Sequence, residues 1–171
     1  MRIAKMRYFF PIGLFLALIL DGSLSHLFSA QFFSTTISVE SRLVLLWLVM
    51  TICTCGDKVK HIGLWTAVAG LFFDMFYTGI IGVYVLILPV MVIFTRWIAQ
   101  YFAPSFLVTI MIYLIDVTVM TVLSYGIYSF WMTNGSLVAM VAQTLGPTLA
   151  FNLAVFVVLY YPLDRFLRRY S

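Results

Sequence analysis

Charged side chains are scarce in this chain: six Asp and Glu and ten Lys and Arg among 171 residues, or 9%. An ordinary soluble domain carries about 25%, and with 64% hydrophobic residues no soluble core of this size covers the apolar surface. Cysteine is nearly absent. Cys53 and Cys55 stand one residue apart, which is not the two-residue spacing of a thiol redox or zinc motif. They are expected to be small apolar residues at a helix end, with lipidation as the alternative. The only two histidines, His26 and His61, fall at opposite ends of the apolar runs described next, so a two-histidine metal site would have to bridge both faces of a bilayer. There is no phosphate-binding glycine loop, dinucleotide fingerprint or serine nucleophile elbow. No basic stripe with interleaved aromatics points to nucleic acid. No cofactor and no metal is expected. The alternation that a membrane β-barrel needs is missing too, because the apolar runs are continuous.

What is present is hydrocarbon-compatible helix. A bilayer core about 30 Å thick takes roughly 20 helical residues per crossing, and six runs can be marked off, at residues 8–28, 41–55, 62–77, 82–97, 104–130 and 137–162. The predicted fold is therefore an all-α integral membrane protein, a single polytopic domain over residues 1–171. Pro89 and Gly146-Pro147 are expected kinks. If the N-terminus is cytoplasmic, that side holds Arg2, Lys5, Arg7, Lys58, Lys60, Arg96, Arg165, Arg168 and Arg169, and the other side only Arg42. This asymmetry predicts both termini inside and an even number of spans. The net charge of +4 then reflects topology anchors beside an anionic leaflet, with a cytoplasmic partner as their second use. A cleaved signal peptide ending near Ser23-Leu24-Ser25 is the alternative for the first run.

The informative residues are the polar ones inside these runs, where carboxylates are costly. Gly63, Ala67, Gly70 and Asp74 recur at spacings of four, three and four, one stripe of a helix. Small residues let a neighbouring backbone approach closely, and the carboxylate can then bond to that neighbour. The stripe is expected to be a packing seam that either stops there or also forms a partner site, with a direct ligand or proton role as the alternative. A neutral packing group at 74 would tolerate Asn. Asp116 lies at a similar depth in the fifth run, about 18 Å from its inner end, so the two acids could meet and share a proton as an intramembrane aspartyl protease would have them do. Thr144, Thr148 and Asn152 form a polar stripe on the sixth run, read as interhelical glue.

Six spans with short loops, the stretch Gly70-Leu71-Phe72-Phe73-Asp74 leading to Gly79 and Gly82-Val83-Tyr84, and the ending Tyr160-Tyr161-Pro162-Leu163-Asp164-Arg165-Phe166-Leu167-Arg168-Arg169 together resemble the bacterial rod shape-determining MreD family. The resemblance implies a non-enzymatic scaffold in the cytoplasmic membrane, working in the elongation machinery that makes peptidoglycan. Its implied partners are an MreC-like single-span protein and, directly or through it, cell-wall synthases and the actin-like MreB, besides membrane lipids. It also implies a fold similar to the six-helix substrate-binding subunits of energy-coupling-factor vitamin transporters, which supplies the alternative function. Such a subunit needs a roomy pocket near its outer face.

Overall fold

A helix that is apolar on every side has to be enclosed, and Leu43–Cys55 is one: eleven of its 13 residues are buried. A computed structural model describes residues 2–27, 38–56, 59, 61–131 and 141–170, and among these Leu43–Cys55 is the second of six α-helices. These are α1 (Arg2–Leu27), α2 (Leu43–Cys55), α3 (Ile62–Phe73), α4 (Val83–Ala99), α5 (Phe106–Trp131) and α6 (Gly146–Tyr170). Single π-helical turns extend α3 over Asp74–Thr78 and precede α6 over Val141–Leu145. Among the described residues every regular element is a helix, as the uninterrupted apolar runs predict. The stretches Phe106–Ile127 and Gln143–Arg169 are long and apolar enough to cross a membrane, and four shorter apolar helices accompany them.

Consecutive helices run antiparallel, so the bundle has two ends. The base gathers the start of α1 and the end of α6, where Phe9 and Phe166 pack edge to face at 6.0 Å, with the ends of α2 and α4 and the start of α5. The top gathers the end of α1, the starts of α2, α4 and α6, and the π-helical turn after α3. At the centre, α2 touches α1, α4, α5 and α6. Its Trp47 ring lies where a Cβ on Gly13 would be, 2.2 Å away, and its indole N–H donates to the Phe10 carbonyl at 3.2 Å. Only a residue without a side chain lets α1 come that close. Cys53 and Cys55 are not joined in a disulfide, and Cys55 is buried.

Polarity is distributed inside out. Asp21, Arg42, Asp74, Asp116 and Asn152 are buried, while Leu86, Val90, Ile93 and Trp97 form an exposed apolar stripe along α4, and Ile12, Leu16 and Ile19 do so on α1. Water would penalise both arrangements; a hydrocarbon solvent favours both.

Candidate functional site

The reversal between α3 and α4 is built around one carboxylate. Gly79 (φ +70°) ends the π-helical turn, its N–H donating to the Asp74 carbonyl at 2.8 Å, and Gly82 (φ +115°) starts α4. Both angles lie where side chains are strained and glycine is not. The turn brings Asp74, 0% exposed, beneath the first turn of α4. There its oxygens accept from the N–H groups of Gly82 at 2.8 Å, Tyr84 at 3.0 and 3.1 Å, and Val85 at 3.3 Å. A helix start leaves such N–H groups without intrahelical partners, and a carboxylate there also meets the positive end of the helix dipole. The Thr78 hydroxyl braces the cap at 3.3 Å from Asp74 Oδ1. One turn earlier, Gly70 lies against α4: a Cβ would sit 2.3 Å from the Tyr84 carbonyl oxygen.

The first hairpin repeats the device. Asp21, near the end of α1, accepts from the Ser41 hydroxyl at 2.6 Å and from the N–H groups of Leu43 at 2.7 Å and Val44 at 2.9 Å, at the start of α2. The two hairpins abut at the top, where a Cβ on Gly22 would meet the Tyr77 hydroxyl oxygen at 1.9 Å.

Between these caps the segment before α2 is clasped from three further helices. Arg42, 4% exposed, donates through Nη1 to the Tyr84 hydroxyl on α4 at 2.9 Å and through Nη2 to Glu40. Its backbone N–H donates to Asn152 Oδ1 on α6 at 3.0 Å, and the Tyr113 hydroxyl on α5 reaches the same oxygen at 2.9 Å. Asn152 Nδ2 donates to the Glu40 and Thr148 carbonyls, each at 2.8 Å, and Glu40 N–H donates to Thr148 Oγ1 at 3.1 Å. The clasp joins the segment before α2 to α4, α5 and α6, and it holds the top of the bundle together. Beside it, Asp21, Ser41, Arg42 and Tyr84 border a void of about 10 Å³.

Sequence reading placed several of these residues differently. Asp74 and Asp116 do not meet. Asp116, also 0% exposed, accepts from the Thr95 hydroxyl at 2.5 Å, and among the described residues its other oxygen has no hydrogen-bond partner. Thr95 lies eleven residues beyond Tyr84 along α4, or about 16 Å at 1.5 Å per residue, so the paired-acid arrangement of an aspartyl protease is not formed. Depth counted along two separate helices does not say which neighbour each side chain faces. The predicted seam is also shorter than its stripe. A Cβ on Gly63 would have nothing within 4 Å, Ala67 is half-buried, and close approach is confined to Gly70.

Lys58 and Lys60 lie outside the described residues. Arg96 lines a cavity at the base, Arg165 and Arg169 are exposed, and Arg168 donates to Asp164 at 2.7 Å. The parts that sequence reading missed are Asp21, Glu40, Ser41, Arg42 and Tyr113. A serine directly before an apolar helix and an acid inside an apolar run were the available signals. Among the described residues no group of three or more His, Cys, Asp or Glu is placed to hold a metal ion.

Buried acids that cap neighbouring helices, with apolar side chains outermost, define a helical membrane protein whose polar residues serve its own packing. The chain matches the family described as rod shape-determining protein MreD over residues 3–170. It belongs to that family, a family of membrane proteins that determine cell shape. Neither a curated protein nor a solved structure gives a significant match.

Proposed function

We propose that the chain is a non-enzymatic scaffold of the cell-elongation machinery, crossing the bacterial cytoplasmic membrane six times with both termini inside. In this reading it binds the membrane helix of an MreC-like single-span protein and, directly or through it, cell-wall synthases and MreB. The observation that carries the reading is the full occupation of the Asp21, Asp74 and Asn152 groups by the protein's own backbone and side chains. What remains for a partner within the bilayer is apolar helix surface, the kind of surface on which membrane helices pack.

The orientation is supported by Arg96, Arg165, Arg168 and Arg169 at the base and by Arg42 at the top, which is buried against Glu40. α2, about 20 Å long, is enclosed by other helices rather than by lipid, so its shortness meets no hydrocarbon mismatch. The transporter alternative asks for a roomy pocket at the top. Among the described residues the void bordering the Arg42 cluster is about 10 Å³, roughly the volume that admits one water.

Mild-detergent affinity purification from native cells, with mass spectrometry of proteins and extracted metabolites, tests the proposal. Recovery of an MreC-like protein and cell-wall synthases without a stoichiometric metabolite is expected. Recovery of a vitamin together with an energy-coupling ATPase overturns it.

A further inference from the structure

At the base, the end of α2, the end of α4 and the start of α5 border a half-open cavity of about 460 Å³. Ile52, Cys53, Val108 and Ile112 supply apolar walls, Arg96 and Gln100 supply polar groups from α4, and among the described residues no lining side chain is acidic. A space of this size is within the range of small-molecule sites.

Its surroundings narrow the occupant. Trp97, at the rim, is 57% exposed and packs edge to face on exposed Tyr101 at 5.7 Å. Amphipathic rings of this kind sit at the boundary between hydrocarbon and headgroups. From that rim the exposed stripe Ile93, Val90 and Leu86 runs up the outside of α4. A guanidinium at headgroup depth, apolar walls leading inward and an apolar track leading along the membrane suit a molecule with an anionic head and a hydrocarbon tail. An acidic peptide would leave the walls unused, and free phosphate would leave both walls and track unused.

We propose that this cavity binds one anionic phospholipid from the leaflet at the base. Its phosphate is held by Arg96 and Gln100, and the first carbons of one chain enter between α2 and α5. The second chain lies along the α4 stripe. Guanidinium–phosphate contact supplies charge-assisted hydrogen bonds, which separate an anionic lipid from a zwitterionic one of the same chain length.

Native mass spectrometry of the full-length, delipidated protein in detergent tests this, with dioleoyl phosphatidylglycerol, dioleoyl phosphatidylethanolamine, inorganic phosphate and an oligoglutamate peptide as probes. The expected result is one phosphatidylglycerol per chain, held about tenfold more tightly than phosphatidylethanolamine, with Arg96→Gln removing that preference. Arg96→Lys retains part of it, and Val108→Trp, which fills the cavity, abolishes retention of either lipid. Melting temperatures of the variants are measured alongside; should Arg96→Gln fold poorly, Val108→Trp decides. Equal retention of the two lipids by the native protein, undiminished binding in well-folded Val108→Trp, or displacement of the lipid by phosphate or oligoglutamate overturns the proposal.

Discussion

Asp21 and Asp74 occupy matching positions near the ends of α1 and α3, and each carboxylate closes the first turn of the helix that follows. In each case both oxygens accept hydrogen bonds. Neither acid faces the other or a cavity suited to a substrate, so the two are parts of the frame.

That geometry reverses the tolerance expected for an amide at 74. Asparagine offers one acceptor oxygen and turns an NH₂ group toward the Gly82, Tyr84 and Val85 N–H groups. Asp74→Asn is therefore expected to destabilise the fold by about 1–3 kcal/mol. Asp74→Leu, which removes every acceptor from buried N–H groups, should do more damage. Thermal unfolding in detergent and folded yield measure both, with Asp21→Asn expected to behave as Asp74→Asn does. Native-like stability of Asp74→Asn would contradict the cap.

Asp116 should respond differently. Among the described residues only one of its oxygens is bonded, to Thr95, and an asparagine can keep that contact. Asp116→Asn is expected to cost less than about 1 kcal/mol and to restore rod shape in a strain lacking the native gene. Loss of shape at normal abundance would give Asp116 a role beyond packing.

Two glycines on one stripe make a paired test. Gly70→Ala puts a methyl group 2.3 Å from the Tyr84 carbonyl oxygen, whereas Gly63→Ala enters open space. The first should lower the melting temperature and separate α3 from α4. The second should be neutral or raise it slightly, since alanine is the better helix former by about 1 kcal/mol. Equal effects would mean that the close approach at Gly70 is absent.

The Tyr113 hydroxyl and the Arg42 backbone N–H both donate to Asn152 Oδ1. Tyr113→Phe is expected to cost about 1 kcal/mol. Asn152→Leu should cost more, because it also strips partners from Arg42 N–H and the Glu40 carbonyl. Groups in one hydrogen-bond cluster are not additive, so the double variant should cost less than the two single costs together. Simple additivity in a thermal-unfolding cycle would count against the clasp.

The class of fold was readable because hydrocarbon leaves the backbone few choices, and continuous apolar runs narrow them to helix. The stretch from Gly70 to Tyr84 was readable because its cap, glycines and receiving helix lie within fifteen residues. Asp21 was visible as an acid in an apolar run, but its acceptors serve Ser41, Leu43 and Val44 across a long connection, and nothing local links them. Arg42 looked like a lone charge on the outer side; its fixing contacts come from Tyr84, Tyr113 and Asn152, up to 110 positions away. The Asp74–Asp116 pairing failed for a related reason: equal depth along two helices leaves their facing directions open.

Chain order gives the two caps and the clasp different places in biogenesis. Asp21 and Asp74 each bond only within their own hairpin, so these contacts need no helix synthesised later. The Glu40–Arg42 segment instead waits for Thr148 and Asn152, which are synthesised more than a hundred residues later. A chain that stops after α5 can hold this first connection only through Tyr84 and Tyr113; it is α6 that completes the clasp on the earliest turn.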